Sequence, residues 1–171
     1  MQAKYVNTPE TPLYHKGELF YGLDITKEAI KKENQVILVE GEFDMLASFQ
    51  EGVPNVVALK GTALTETQAK LMRRFTQNIA LAFDLDVAGD AAARRGIEIA
   101  DREGLNIKVI RIEGGKDPDE AIQNRGAVSW KNAVKKAVSV YDFLIASALS
   151  RFDNKSAYGK KGIADEVIPS L

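Results

Sequence analysis

The chain has 171 residues, 45% of them hydrophobic and 27% charged, with a net charge of -1 and no cysteine. That length suits one domain, or one domain with a small appendage, and the missing cysteines exclude a disulfide scaffold, a zinc ribbon and a thiol nucleophile. No apolar run approaches the ~18 residues of a membrane span and Met1-Gln2-Ala3-Lys4 opens no signal peptide, so a cytoplasmic protein with no membrane partner is expected.

Residues 1–24 read as irregular, because Pro9, Pro12, Gly17 and Gly22 interrupt any periodic pattern. From Gln35 the text becomes regular. Apolar runs at Val36–Val39, Val56–Leu59, Ile79–Phe83 and Ile107–Ile112 predict four buried strands. Helices are predicted between them, at Phe43–Glu51, Thr65–Phe75 and Ala88–Glu103. Thr65 and Gln68 have capping-box spacing, which places a helix start there. Continuous apolar strands alternating with helices imply a parallel sheet covered on both faces, an α/β fold.

The remainder reads as helical. Trp130, Val134, Val138, Tyr141, Ile145, Ala148 and Phe152 recur at three- and four-residue steps and predict one apolar stripe, packed on the sheet domain. A further short helix is expected over residues 156–168.

Charge is unevenly placed. Residues 1–33 carry five basic and five acidic side chains, residues 34–124 carry 10 and 15, and residues 125–171 carry eight and four. An acidic centre is thus followed by a basic end, so a net charge near zero conceals opposed regions.

In an open parallel sheet, ligands bind beyond the carboxyl ends of the strands. The first predicted strand runs into Glu40-Gly41-Glu42-Phe43-Asp44, the second into Lys60-Gly61-Thr62, the third into Asp84-Leu85-Asp86, and the fourth into Gly114-Gly115-Lys116-Asp117-Pro118-Asp119. Six carboxylates, Glu40, Asp44, Asp84, Asp86, Asp117 and Asp119, therefore converge on one edge. Without counter-ions they would repel one another and push their pKa values upward. Carboxylate oxygens suit magnesium or manganese, and no thiol or imidazole cluster exists for zinc or copper. A pair of such ions could activate an attacking oxygen and stabilise a leaving one. Taken singly, a D-x-D pair is also a loop or helix-cap feature, and Asp117-Pro118-Asp119 is also a turn opening a helix near Glu120. Gly61 and Gly89 would let the backbone approach a phosphate or metal, or serve as ordinary turn glycines.

VEGEFDML, FDLDVAGDAAA and GGKDPDEAI resemble the Toprim domain of topoisomerases and bacterial primases, over residues 34–124. KYVNTPETPLYHKGELFYGL and GTALTETQ narrow the match, since they resemble the segments before and within Toprim in bacterial-type DNA primases. The resemblance implies a Toprim-containing piece of an RNA polymerase (catalytic) domain: the end of an N-terminal subdomain at 1–33, Toprim at 34–124 and an incomplete helical subdomain at 125–171. It implies Glu40 and Asp44 as catalytic residues, with Glu40, Asp84, Asp86, Asp117 and Asp119 holding two Mg2+ or Mn2+ ions. Lys4 and Lys16 are implied in catalysis and nucleotide handling, and Asn7, Lys60, Gly61 and Thr62 in nucleotide or nucleic-acid binding. His15, the only histidine, is read as a structural neighbour of Lys16. The middle residue Leu85 departs from the glycine that primases often carry there, while both flanking acids are kept.

The function so implied is synthesis of RNA primers from nucleoside triphosphates on a single-stranded DNA template, with an RNA–DNA hybrid as product. The replicative helicase would be reached through domains this chain does not contain, and primer synthesis by this piece alone is expected to be weak. The basic side chains Lys131, Lys135, Lys136, Arg151, Lys155, Lys160 and Lys161 could contact template or hybrid, or form a solvated face. Three rival readings stand beside it: a nuclease or topoisomerase that cleaves phosphodiesters with the same acids, a non-catalytic scaffold that binds nucleic acid or partner proteins, and a phosphatase with an Asp nucleophile, whose D-x-D typically follows the first strand and not, as here, the third.

Overall fold

The computed structural model describes residues 9–60, 63–82 and 91–167. Val36–Val39 (β1), Val56–Ala58 (β2), Asn78–Leu81 (β3) and Asn106–Val109 (β4) run parallel, and Val138–Ser139 (β5) pairs antiparallel with β4. Their order across the sheet is β2-β1-β3-β4-β5. The helices are Leu23–Glu33 (α1), Glu42–Gln50 (α2), Glu66–Arg73 (α3), Ala91–Arg102 (α4), Pro118–Lys135 (α5), Val140–Arg151 (α6) and Ala157–Val167 (α7). The expected α/β class and all four predicted strands are present, within a few residues of their expected ends.

Alternation along the strands divides the core into two layers. Val36, Leu38, Ile79, Leu81, Ile107 and Val109 face Ile30 of α1, Met72 of α3, Ile97 of α4 and Leu144 of α6. Ile37, Val39, Val56, Ala58 and Ala80 face Met45 of α2 and Trp130 of α5. Burying each such aliphatic side chain contributes about 1.5–3 kcal/mol, so β1, with all four residues buried, anchors both layers.

Three expectations are corrected. The irregular N-terminal stretch gives way at Leu23 to helix α1, which the sequence pattern did not reveal because only Thr26 and Ile30 are buried along it. The single C-terminal stripe is two helices separated by β5. Trp130 and Val134 pack on one face of the sheet, while Val140 and Leu144 pack on the other. Backbone pairing of Val138 and Ser139 with β4, and the Ser139 hydroxyl accepting from the Tyr141 N–H, overrode a helical period that runs on across the break. The sheet is accordingly mixed at this edge and is not covered on both faces throughout: Asn106 and Lys108 of β4 are exposed.

Strand order also positions the site. The chain passes from β1 outward to β2, then returns to the far side of β1 to form β3. That reversal places a crevice beyond the carboxyl ends of β1 and β3.

Candidate active site

Glu40 follows β1 directly and is exposed at the carboxyl edge. Gly41 then caps α2, and the Asp44 carboxylate folds back to accept the Gly41 N–H at 3.1 Å. A Cβ at position 41 would lie 2.8 Å from Asp44 Oδ2, so a larger residue there would have to displace the carboxylate. The other Asp44 oxygen accepts the Asp119 N–H at 3.3 Å, across 75 residues of sequence. One carboxylate thus joins the turn after β1 to the helix that follows β4.

Asp44 is 8% exposed. Burial pushes its pKa up to about 6, against the two backbone donors, and the charges of Asp117 and Asp119 raise it further. Asp117 itself caps α5, accepting the Glu120 N–H at 2.8 Å with Pro118 at the first helical position. Glu120 reaches back to the Lys116 N–H at 2.9 Å. Asp119 Oδ1 accepts from the Gln123 amide at 2.9 Å. Gly115 permits this tight turn, since a Cβ there would sit 2.5 Å from the Ala121 nitrogen. The acids after β4 are therefore held by the start of one helix, and the turn reading and the site reading describe the same residues.

The end of β2 is tied to the same edge. Lys60 Nζ lies 2.9 Å from Glu42 Oε1 and over the rings of Tyr14 and Tyr21, at 5.2 and 5.7 Å. Hydrogen bonding to Tyr14 and then to Glu42 raises the Lys60 pKa above its ordinary value. Lys60 adopts a left-handed φ of 58°, a cost of about 1–2 kcal/mol that these contacts offset. Tyr21 exchanges both backbone hydrogen bonds with Ala58, at 3.0 and 3.1 Å, which extends the sheet by one bridge beyond β2.

Lys16 lies in a 3-10 turn, Lys16–Glu18, with exposed His15 at its cap. The expected capping box at Thr65 is present, and it does more than start α3. Buried Gln68 donates to the carbonyls of Leu19 at 2.8 Å and Lys16 at 3.3 Å, and the Thr65 hydroxyl donates to the Gly17 carbonyl. The backbone beneath Lys16 is thereby fixed to α3.

The structure thus brings Asp44, Asp117 and Asp119 together and places Glu40 and Lys60 on the same edge. Among the described residues no group of three acids or histidines stands at metal-binding spacing. Lys4, Asn7, Gly61, Thr62, Asp84, Asp86 and Gly89 lie outside the described residues. Glu42, Tyr14, Tyr21 and Gln68 were missed as site-building residues. An acid two positions after Glu40 was a visible signal for Glu42; nothing local marked the tyrosines, whose partner is 39 and 46 positions away by residue number.

The family described as Toprim-like matches residues 37–122. The DNA primase of Clostridium acetobutylicum is 40% identical over 158 residues, covering 91% of this chain and 26% of that protein. A solved DNA primase domain from Pseudomonas aeruginosa aligns over 100% of this chain and 55% of its own, with a TM-score of 0.81 and 30% identity. A DnaG primase catalytic domain bound to ssDNA aligns over 99% and 56%, with a TM-score of 0.79 and 29% identity. The chain therefore spans about a quarter of the curated relative and about half of each solved domain.

Proposed function

The chain belongs to the Toprim-like family, and from that premise we propose that it is the Toprim-bearing part of a DNA primase, a DNA-directed RNA polymerase that synthesises RNA primers on single-stranded DNA. The observation that carries this reading is the joint made by Asp44, which locks the acid-bearing turn after β1 to the acid-bearing helix start after β4. Likeness to proteins named as DNA primases supports polymerisation over the nuclease, topoisomerase and scaffold readings. The division into 1–33, 34–124 and 125–171 and a cytoplasmic location belong to the same proposal. No helix among the described residues is long and apolar enough to cross a membrane.

The donor set at this edge is carboxylate oxygen throughout, in a chain with no cysteine and one histidine, and that fits a hard divalent cation. We assign Glu40, Asp84, Asp86, Asp117 and Asp119 to hold Mg2+ or Mn2+, as two ions. When bound, they supply charge neutralisation at the transferring phosphate. Glu40 and Asp44 are the proposed catalytic acids, with Lys4 and Lys16, and Asp44, by accepting the Gly41 and Asp119 N–H groups, also holds the two acid-bearing segments in place. Lys60 and Lys16, with Lys4, Asn7, Gly61 and Thr62, are the proposed nucleotide and nucleic-acid contacts. In this assignment Lys60 reaches the substrate triphosphate by exchanging its Glu42 partner.

The decisive experiment grafts this chain into the C. acetobutylicum primase in place of the matching segment and measures RNA primer synthesis on single-stranded DNA. The chimera is expected to make primers, and Asp84→Ala with Asp86→Ala is expected to abolish them while the fold persists. A folded chimera that nicks DNA but makes no primer would overturn the assignment in favour of cleavage.

A further inference from the structure

A cavity of about 570 Å³ lies on the opposite flank of the sheet, between the residues after β4, the end of α5 and the start of α6. It plays no part in the site described above. Arg111, Glu113, Ser129, Asn132, Lys136 and Asp142 supply its polar lining. Resting on the nucleic-acid reading above, we infer that this cavity contacts the phosphate oxyanions of a single-stranded nucleic acid.

The sheet register pairs Val109 with Val138. Arg111, two residues past the end of β4, and Lys136, the C-terminal cap of α5, both line the cavity. The Arg111 guanidinium lies 5.5 Å from the centroid of the Phe143 ring, which orients it without neutralising it. Among the described residues, neither Arg111 nor Lys136 has a carboxylate within ion-pair distance. Of the two acids in the lining, Glu113 is paired with Arg125 at 3.8 Å, and Asp142 sits in the first turn of α6, where the helix dipole favours its charge. Ser129 and Asn132 add hydroxyl and amide donors.

Mixed signs make this a weak site for a single free anion. A polymer tolerates weak sites, because each contact after the first is intramolecular and adds to the last. Chain continuity points the same way: Arg111 and Glu113 line this cavity and lead into the turn that carries Asp117 and Asp119. The contact is with backbone phosphate and carries no sequence preference.

The test is fluorescence anisotropy of the full chain with a labelled oligodeoxythymidine of about 12 nucleotides, across a salt series. Arg111→Gln with Lys136→Gln is expected to weaken binding about tenfold and to reduce the slope of log K against log salt by about 1.4, the share of two phosphate contacts on a single strand. Lys27→Gln with Lys32→Gln, an equal charge loss on exposed α1, is expected to stay within about twofold. Equal loss in both double variants, or none in the first, overturns the inference alone. ATP binding that shows the same sensitivity to Arg111→Gln with Lys136→Gln would overturn the assignment to a strand. A native chain that binds no oligonucleotide overturns both this inference and the nucleic-acid part of the proposed function.

Discussion

β1 and the β4–β5 flank belong to one sheet but solve different problems. Every residue of β1 is buried, with helices on both faces, and the turn that follows it is fixed by a carboxylate with two backbone donors. β4 alternates exposed and buried, and β5 is two residues long and half-exposed. Like charges can be gathered only where the backbone beneath them cannot yield, since the repulsion among Asp44, Asp117 and Asp119 works to spread it. A surface that meets a passing polymer needs access more than rigidity. Glu40 and Asp44 follow the first kind of strand, and Asp117 and Asp119, which follow β4, are tied to it through Asp44, while Arg111 and Lys136 lie on the open flank.

The largest test of that contrast is core truncation. Leu38→Ala, at the centre of β1, is expected to cost about 2–5 kcal/mol, and Val138→Ala on β5 about 1 kcal/mol or less, by urea denaturation. Comparable losses at the two positions would erase the distinction.

Next in size is the acid joint. The folded pKa of Asp44, about 6, lies above its ordinary 3.8, so the folded state holds the proton more tightly than the unfolded chain. The stability contributed by that proton is full below about pH 4 and is lost as pH rises through about 6, a fall of about 2–3 kcal/mol. Stability measured in chelator across this window should therefore decline with pH in the native chain, and Asp44→Asn should remove that part of the slope. Parallel curves for the two proteins would show that the carboxylate is not strained in this way.

A smaller effect is expected at the N-terminal anchor. Gln68→Ala leaves the Lys16 and Leu19 carbonyls without their donor and should cost about 1–3 kcal/mol. It should also speed proteolytic cleavage after Lys16; an unchanged cleavage rate would mean that the Tyr21–Ala58 bridge holds the segment alone. Smallest of all, Arg102→Gln breaks an exposed pair with Glu98 at 3.9 Å, and the unfolding free energy from urea denaturation should change by about 0.5 kcal/mol or less. A larger loss would make the periphery as consequential as the centre.

Much of this was legible before any coordinates. Four apolar runs became four parallel strands, and a Thr65–Gln68 spacing became a capping box, because strand burial and helix starts are local properties of short windows. The acids after β1 and β4 could be assigned to one edge because parallel strands align their carboxyl ends. The break at β5 could not be read, since a three- and four-residue period carries no record of which sheet face each half will meet.

Sequence alone determined the class of fold, the edge that carries the acids and the hard-oxygen character of that edge, all set by residue type and short-range order. Tertiary structure alone decided which acid is buried, that Asp44 accepts backbone N–H groups from two separate segments, and that Lys60 is held by Glu42 between two tyrosines. Those outcomes depend on burial and on partners as many as 75 residues apart, which no window of sequence contains.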